Sequence, residues 1–252
     1  MSDFNRNVTA RGGFADRTAA VDAGLRTYML RVYNYMGAAV ALTGVVAWLC
    51  FQNAVVTNEA GAITGLTSFG QMILGGYTPI ILMLATLGLV FFISFRIHTL
   101  QYTTALALFM VYAALLGAAL TSIFVAYTGA SVARVFFISA ASFGALSLYG
   151  YTTQRDLSAM GSFLIMGLFG IIIASLVNIF LKSSGLDWAI SVIGVGVFAG
   201  LTAYDTQRIK EMYDSMDDDG TIGRKAVMGA LSLYLDFINL FLMLLRLVGD
   251  RR

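Results

Sequence analysis

The sequence predicts an all-α polytopic membrane protein, a bundle of seven transmembrane helices. Three observations predict it. The mean hydropathy is +0.79, and only 12% of residues are charged, where a soluble domain carries about 25%. The apolar residues fall into seven separate runs, each near the roughly 20 residues that a ~30 Å hydrocarbon core demands. The runs are continuous rather than alternating, which sets aside a membrane barrel and leaves helices to satisfy the backbone in lipid. This composition also excludes disorder. A net charge of +2 gives no nucleic-acid footprint. The chain holds a single Cys, Cys50, and a single His, His98. They allow no internal disulfide and make a zinc or haem site of the usual ligand type improbable.

In chain order, residues 1–31 come first, with Arg6, Arg11, Arg17, Arg26 and Arg31 between Asp3, Asp16 and Asp22. They lack the apolar core of a signal peptide, and their acids argue against a mitochondrial presequence. They are expected to be a mostly solvated cytoplasmic arm. The membrane domain, 32–248, has spans at Val32–Phe51, Thr78–Phe95, Thr103–Val125, Ala133–Tyr151, Gly161–Leu181, Trp188–Asp205 and Ala226–Val248. The only proline, Pro79, follows Thr78, so Thr78 is the expected N-cap of the second span and Pro79 its first helical residue. Gln52–Tyr77, rich in Gly, Thr and Asn, reads as a loop, as does Thr206–Lys225. The run Asp217–Asp219 lacks EF-hand spacing. Gly196 and Gly200 form a G-x-x-x-G, a close packing surface. Residues 249–252 are a short tail.

Topology follows from the cations. The arginines of the arm, Arg96, Arg155, Arg208, Lys210, Arg224 and Lys225 fall on one side; Arg134, Lys182, Arg246, Arg251 and Arg252 fall on the other. The positive-inside bias places the N-terminus in the cytoplasm. The tail is discordant, so a variant with six full spans and a re-entrant seventh stays open.

Charges within the spans are the informative residues, because each is costly at mid-membrane and by default functional. Asp236 is the clearest, eleven residues past Lys225 and thus up to about 16 Å deep. At 100° per residue, Ser232, Asp236, Asn239 and Arg246 share one arc, a polar stripe that should face the bundle interior, while Tyr234 points the opposite way. Asp205 ends span six near the cytoplasmic interface, where span seven begins. Two close carboxylates resist ionising together and can hold a shared proton; their oxygens also suit a hard cation such as Ca2+. Arg96 ends span two on the same side, either as a positive-inside anchor or as a latch on the pair. The bland reading of Asp236 is a hydrogen-bond anchor between helices.

No enzyme is expected. A retinal protein needs a mid-span Lys, and Lys182, Lys210 and Lys225 all lie at ends. A zinc protease needs H-E-x-x-H, and His98 stands alone.

The stretch Leu233–Phe241 around Asp236 resembles the signature of the Bax inhibitor-1 family, the transmembrane BAX inhibitor motif family. Gly200–Gln207 around Asp205 resembles its second aspartate motif, and Tyr151–Ser158 its fourth loop. The resemblance runs from about Arg26 to the end and points to a bacterial, YccA-like branch. It implies seven helices with the last one central, in the bacterial inner (plasma) membrane. It further implies a pH-sensitive Ca2+ leak, with Asp205 and Asp236 as proton sensor and Arg96, matched by helix position alone, as latch. No cofactor is implied, Ca2+ being the permeant ion. Some bacterial members resemble modulators of a membrane-bound ATP-dependent protease, so an interaction protein with such a partner is the alternative.

Overall fold

The computed structural model describes the backbone of residues 3–58 and 62–252, and side chains from Val21 onward apart from those of 59–61. The chain folds into α1 (Asp3–Ala54), a hairpin of β1 (Val55–Thr57) and β2 (Ile63–Leu66), α2 (Ser68–Leu74), α3 (Thr78–Arg96), α4 (Tyr102–Ala119), α5 (Thr121–Ala126), α6 (Gly129–Thr152), α7 (Ser158–Leu181), α8 (Ser184–Glu211) and α9 (Asp219–Val248). Among the described residues, seven helical segments are long and apolar enough to cross a membrane, with α4 and α5 together making the third. The protein is an all-α polytopic membrane bundle.

Several boundaries differ from those the hydropathy suggests. Packing in α1 begins before Val32: Tyr28 and Met29 are as buried as Val32, so the end of the arm belongs to the bundle. The side chains of Arg6, Arg11 and Arg17 lie outside the described residues. The stretch Gln52–Tyr77 is not all loop. Val55, Val56 and Thr57 pair antiparallel with Ile63–Leu66, as β-branched residues favour. Thr67 then caps α2 by accepting from the Gly70 N–H. Thr78 is already helical, with Tyr77 at the cap position; Pro79 sits in the first turn as expected. At the other end of the bundle α8 continues six residues past Asp205, and α9 starts early because the Asp218 side chain accepts from Thr221 N–H. Hydrogen bonds from the Thr221 hydroxyl and backbone hold the Asp218 carboxyl below the usual carboxylate range.

The last helix is the core of the bundle. In its apolar window 67% of residues are buried, against 11% in α3 and in α7. It packs on α1, α4, α6 and α8. Polar groups inside find partners, as apolar surroundings require: Thr43 of α1 bonds to the Ala113 carbonyl of α4 and to the Tyr234 hydroxyl of α9. Where helices cross closely, glycine is needed. A Cβ on Gly150 of α6 would lie 2.2 Å from the Ala203 carbonyl oxygen of α8. Gly200 likewise faces Leu164 of α7, but Gly196 has open space, so only half of the G-x-x-x-G makes a close crossing.

The tail fixes the direction of α9. The Thr128 N–H donates to the Asp250 carbonyl and the Arg252 N–H to the Ala126 carbonyl. Arg252 lies over Phe51, near the end of α1. The seventh helix therefore traverses the whole bundle, and the re-entrant variant does not occur. The arginines of this end each find a partner. Arg134 pairs with Asp250, Arg246 with Asp187, and Arg251 lies over the Tyr127 ring.

Candidate functional site

Antiparallel packing of α8 on α9 builds the site. Contacts step along the seam in a steady register. Lys225 Nζ donates to the Met212 carbonyl, Gly229 lies under Ile209 and Gly194 under Met243, and Arg246 meets Asp187 at the far end. The polar stripe of α9 is this seam: positions 229, 232, 236, 239, 243 and 246 follow the helical repeat of one face. Asp205 lies about a quarter and Asp236 about half of the way along the seam from the basic end, one helical turn out of direct register, close enough for their carboxyls to interact.

Asp236 is 5% exposed and its Oδ2 has no hydrogen-bond partner. Asp205 is half-buried. Two carboxylates in contact without a proton would repel each other and carry a large desolvation cost. One shared proton would turn such a contact into a short, charge-assisted hydrogen bond. The cation acting on Asp205 is Arg208, one turn further along α8, and it forms no ion pair among the described residues. Arg96 ends α3, is exposed, and makes no ion pair with either aspartate.

The rest of the stripe divides. Ser232 and Asn239 are half-buried, and the Asn239 amide donates to its own helix at Leu235. Arg246 is at the far end, remote from Asp236. Tyr234, on the opposite face, is buried too, because a central helix has no lipid side. Among the described residues no group of three or more His, Cys, Asp or Glu could hold a metal. Two carboxyls fall short of the six to eight oxygens Ca2+ takes.

Sequence reasoning missed the polar groups just past Asp205. Gln207 is buried; its amide donates to the Arg155 carbonyl and accepts from the Leu157 N–H. Lys210 donates to the Tyr151 carbonyl. Together they pin the α6–α7 loop against the basic end of α8. In that loop the Asp156 carboxyl, bonded by Ser158, is held below the usual carboxylate range. Thr206 joins a hydroxyl chain through Ser147 of α6 to Tyr33 of α1. Falling hydropathy after Asp205 read as the start of a loop; the signal available was that Thr206 and Gln207 still fit the helical repeat of the buried face.

A family model described as inhibitor of apoptosis-promoting Bax1 matches residues 25–252, which takes in α1 from Leu25 onward, every later helix and both aspartates. The chain belongs to the Bax inhibitor-1 family. It is 49% identical to the inner membrane protein YbhL of Escherichia coli over 91% of this chain and 94% of that one. It is 48% identical to the RP147 protein of Rickettsia prowazekii over the full length of both. The YrjE protein of Lactococcus lactis is 36% identical over 90% of this chain and 92% of its own. Kinship with Bax inhibitor-1 proteins of this kind, together with the seven spans, makes the chain a multi-pass inner membrane protein of a family not known for enzymes.

Proposed function

We propose that the protein is a pH-sensitive cation leak of the Bax inhibitor-1 type, with Ca2+ as permeant ion and the Asp205–Asp236 pair as proton sensor. The observation that carries this reading is the buried carboxyl-to-carboxyl contact at the seam of the central helix, with Asp236 Oδ2 unpartnered. A structural anchor would be built from a complementary pair, such as the one at the far end of the same seam. A like-charge pair holds together only while a proton is shared, so losing the proton drives α8 and α9 apart. The basic end then faces the cytoplasm by the positive-inside bias, and the pair senses cytoplasmic pH.

The test is Ca2+ flux into liposomes containing the purified protein, measured between about pH 6 and 8, where a shared carboxyl proton is held against bulk water. Flux in the parent varies with pH, and Asp205→Asn and Asp236→Asn each flatten the profile. Arg96→Ala and Arg208→Ala assign the latch: raised basal flux marks the arginine that restrains the pair, and the geometry favours Arg208. Unchanged profiles in both Asn variants, with folding intact, would overturn the sensor and favour a protease-modulating interaction protein.

A further inference from the structure

A groove between α1 and α6 has the chemistry of a lipid site. α1 packs on α4 and α9, and α6 on α8 and α9, but α1 and α6 are not a packed pair. The space between them is a groove of about 790 Å3, with Arg26, Met29 and Leu30 on one wall and Phe143, Gly144 and Leu148 on the other. That size is typical of pockets for small organic ligands. Its floor is closed by buried Met29 and Phe143 and by the Tyr33–Ser147 hydrogen bond. Its lips are apolar and open: Leu30 is 52% and Leu148 63% exposed. In a bundle of seven spans such lips meet acyl chains rather than water.

The ends of the groove differ. Toward mid-membrane the walls are apolar, which disfavours a bare ion. At the basic end stands Arg26, exposed and in no ion pair with a described acid; Asp22 is one turn before it on α1. Lys210 backs the same mouth, its ammonium 5.3 Å from the Tyr151 ring centroid. From Arg26 to Tyr33 the groove runs about 10 Å at 1.5 Å per residue, the span of the first part of an acyl chain below its glycerol. We propose that this groove binds one anionic phospholipid from the leaflet at the basic end, with an acyl chain between α1 and α6 and the phosphate on Arg26. The site stands whether or not the protein conducts ions.

Gly144 gives a clean test, because a Cβ there meets nothing within 4 Å. Gly144→Leu therefore starts its side chain in open space and directs it into the groove. The full chain, purified in detergent, is incubated with phosphatidylglycerol or with phosphatidylethanolamine, and bound lipids are counted by native mass spectrometry. The parent retains one phosphatidylglycerol in preference to phosphatidylethanolamine. Gly144→Leu loses it, whereas Gly88→Leu, an equally open glycine on α3, keeps it. Arg26→Gln weakens phosphatidylglycerol about tenfold, as loss of one charge-assisted contact implies. Should Gly144→Leu not fold, Leu148→Trp at the exposed lip fills the same space. Equal retention by the groove-filling and Gly88 variants, or an unchanged lipid preference in Arg26→Gln, would overturn the site.

Discussion

The two ends of the α8–α9 seam are built from the same helices and opposite electrostatics. At the far end Asp187 meets Arg246 at 3.9 Å, with side chains 40% and 43% exposed. Toward the basic end, Asp205 meets Asp236, and Asp236 is 5% exposed. The complementary pair sits where it contributes least, since exposed ion pairs are worth about 0–1 kcal/mol. The like-charge pair sits where any net charge costs most. Stability alone would have arranged them the other way round. The difference fits the proposed reading, in which the buried end is a proton-holding pair rather than a helix clamp.

The largest expected effect comes from making the buried end resemble the exposed one. Asp205→Lys puts a fixed ion pair to Asp236 where the proposed shared proton would sit, leaving no carboxyl dyad to titrate. Ca2+ flux in liposomes should then lose its pH dependence entirely, whatever its basal level. A Lys variant that still responds to pH would remove the seam as sensor. A middling effect is expected two residues along α8. Gln207→Leu strands the Leu157 N–H and Arg155 carbonyl that Gln207 now satisfies, a loss of roughly 1–3 kcal/mol. The melting temperature in detergent should fall, and trypsin should cut faster after Arg155; an unchanged cleavage rate would show that the loop holds without Gln207. The smallest effect belongs to the far end. Arg246→Gln should cost under about 1 kcal/mol and leave the flux profile of the parent intact. A large loss there would mean that both ends of the seam are equally tuned.

Much of this contrast was legible in the sequence. The seven spans follow from hydropathy, and Asp236 stands out because charge is rare in them. Its stripe correctly indicated an interior face, and the antiparallel order of the last two spans brought Asp205 toward it. Arg246 was legible only as a member of the stripe, because an angular plot shows direction and hides depth: ten residues, about 15 Å, separate it from Asp236. Arg208 and Gln207 read as loop residues by hydropathy, which drops before the helix ends. Arg96 was placed at the correct end of the bundle, but no plot of one helix reports how far it lies from another.

Hydropathy also misjudges which span is innermost. The window of α7 has a mean hydropathy of 2.6 and is 11% buried, while that of α9 has 1.8 and is 67% buried. In water the more apolar helix goes inside. In lipid the outside is already apolar, so the most hydrophobic spans take the periphery, and packing and polar contacts select the centre. The sequence by itself determined the number of spans, their apolar character and the rarity of the two carboxyls, because the free energy of leaving water is summed residue by residue along the chain. Only the tertiary structure decided that α9 is central, that Asp205 approaches Asp236, that the tail returns to Tyr127, and that α1 and α6 leave a groove between them beside the Tyr33–Ser147 hydrogen bond. Those depend on side-chain volumes and on glycines at crossings such as Gly150 against Ala203, which act between segments distant in sequence.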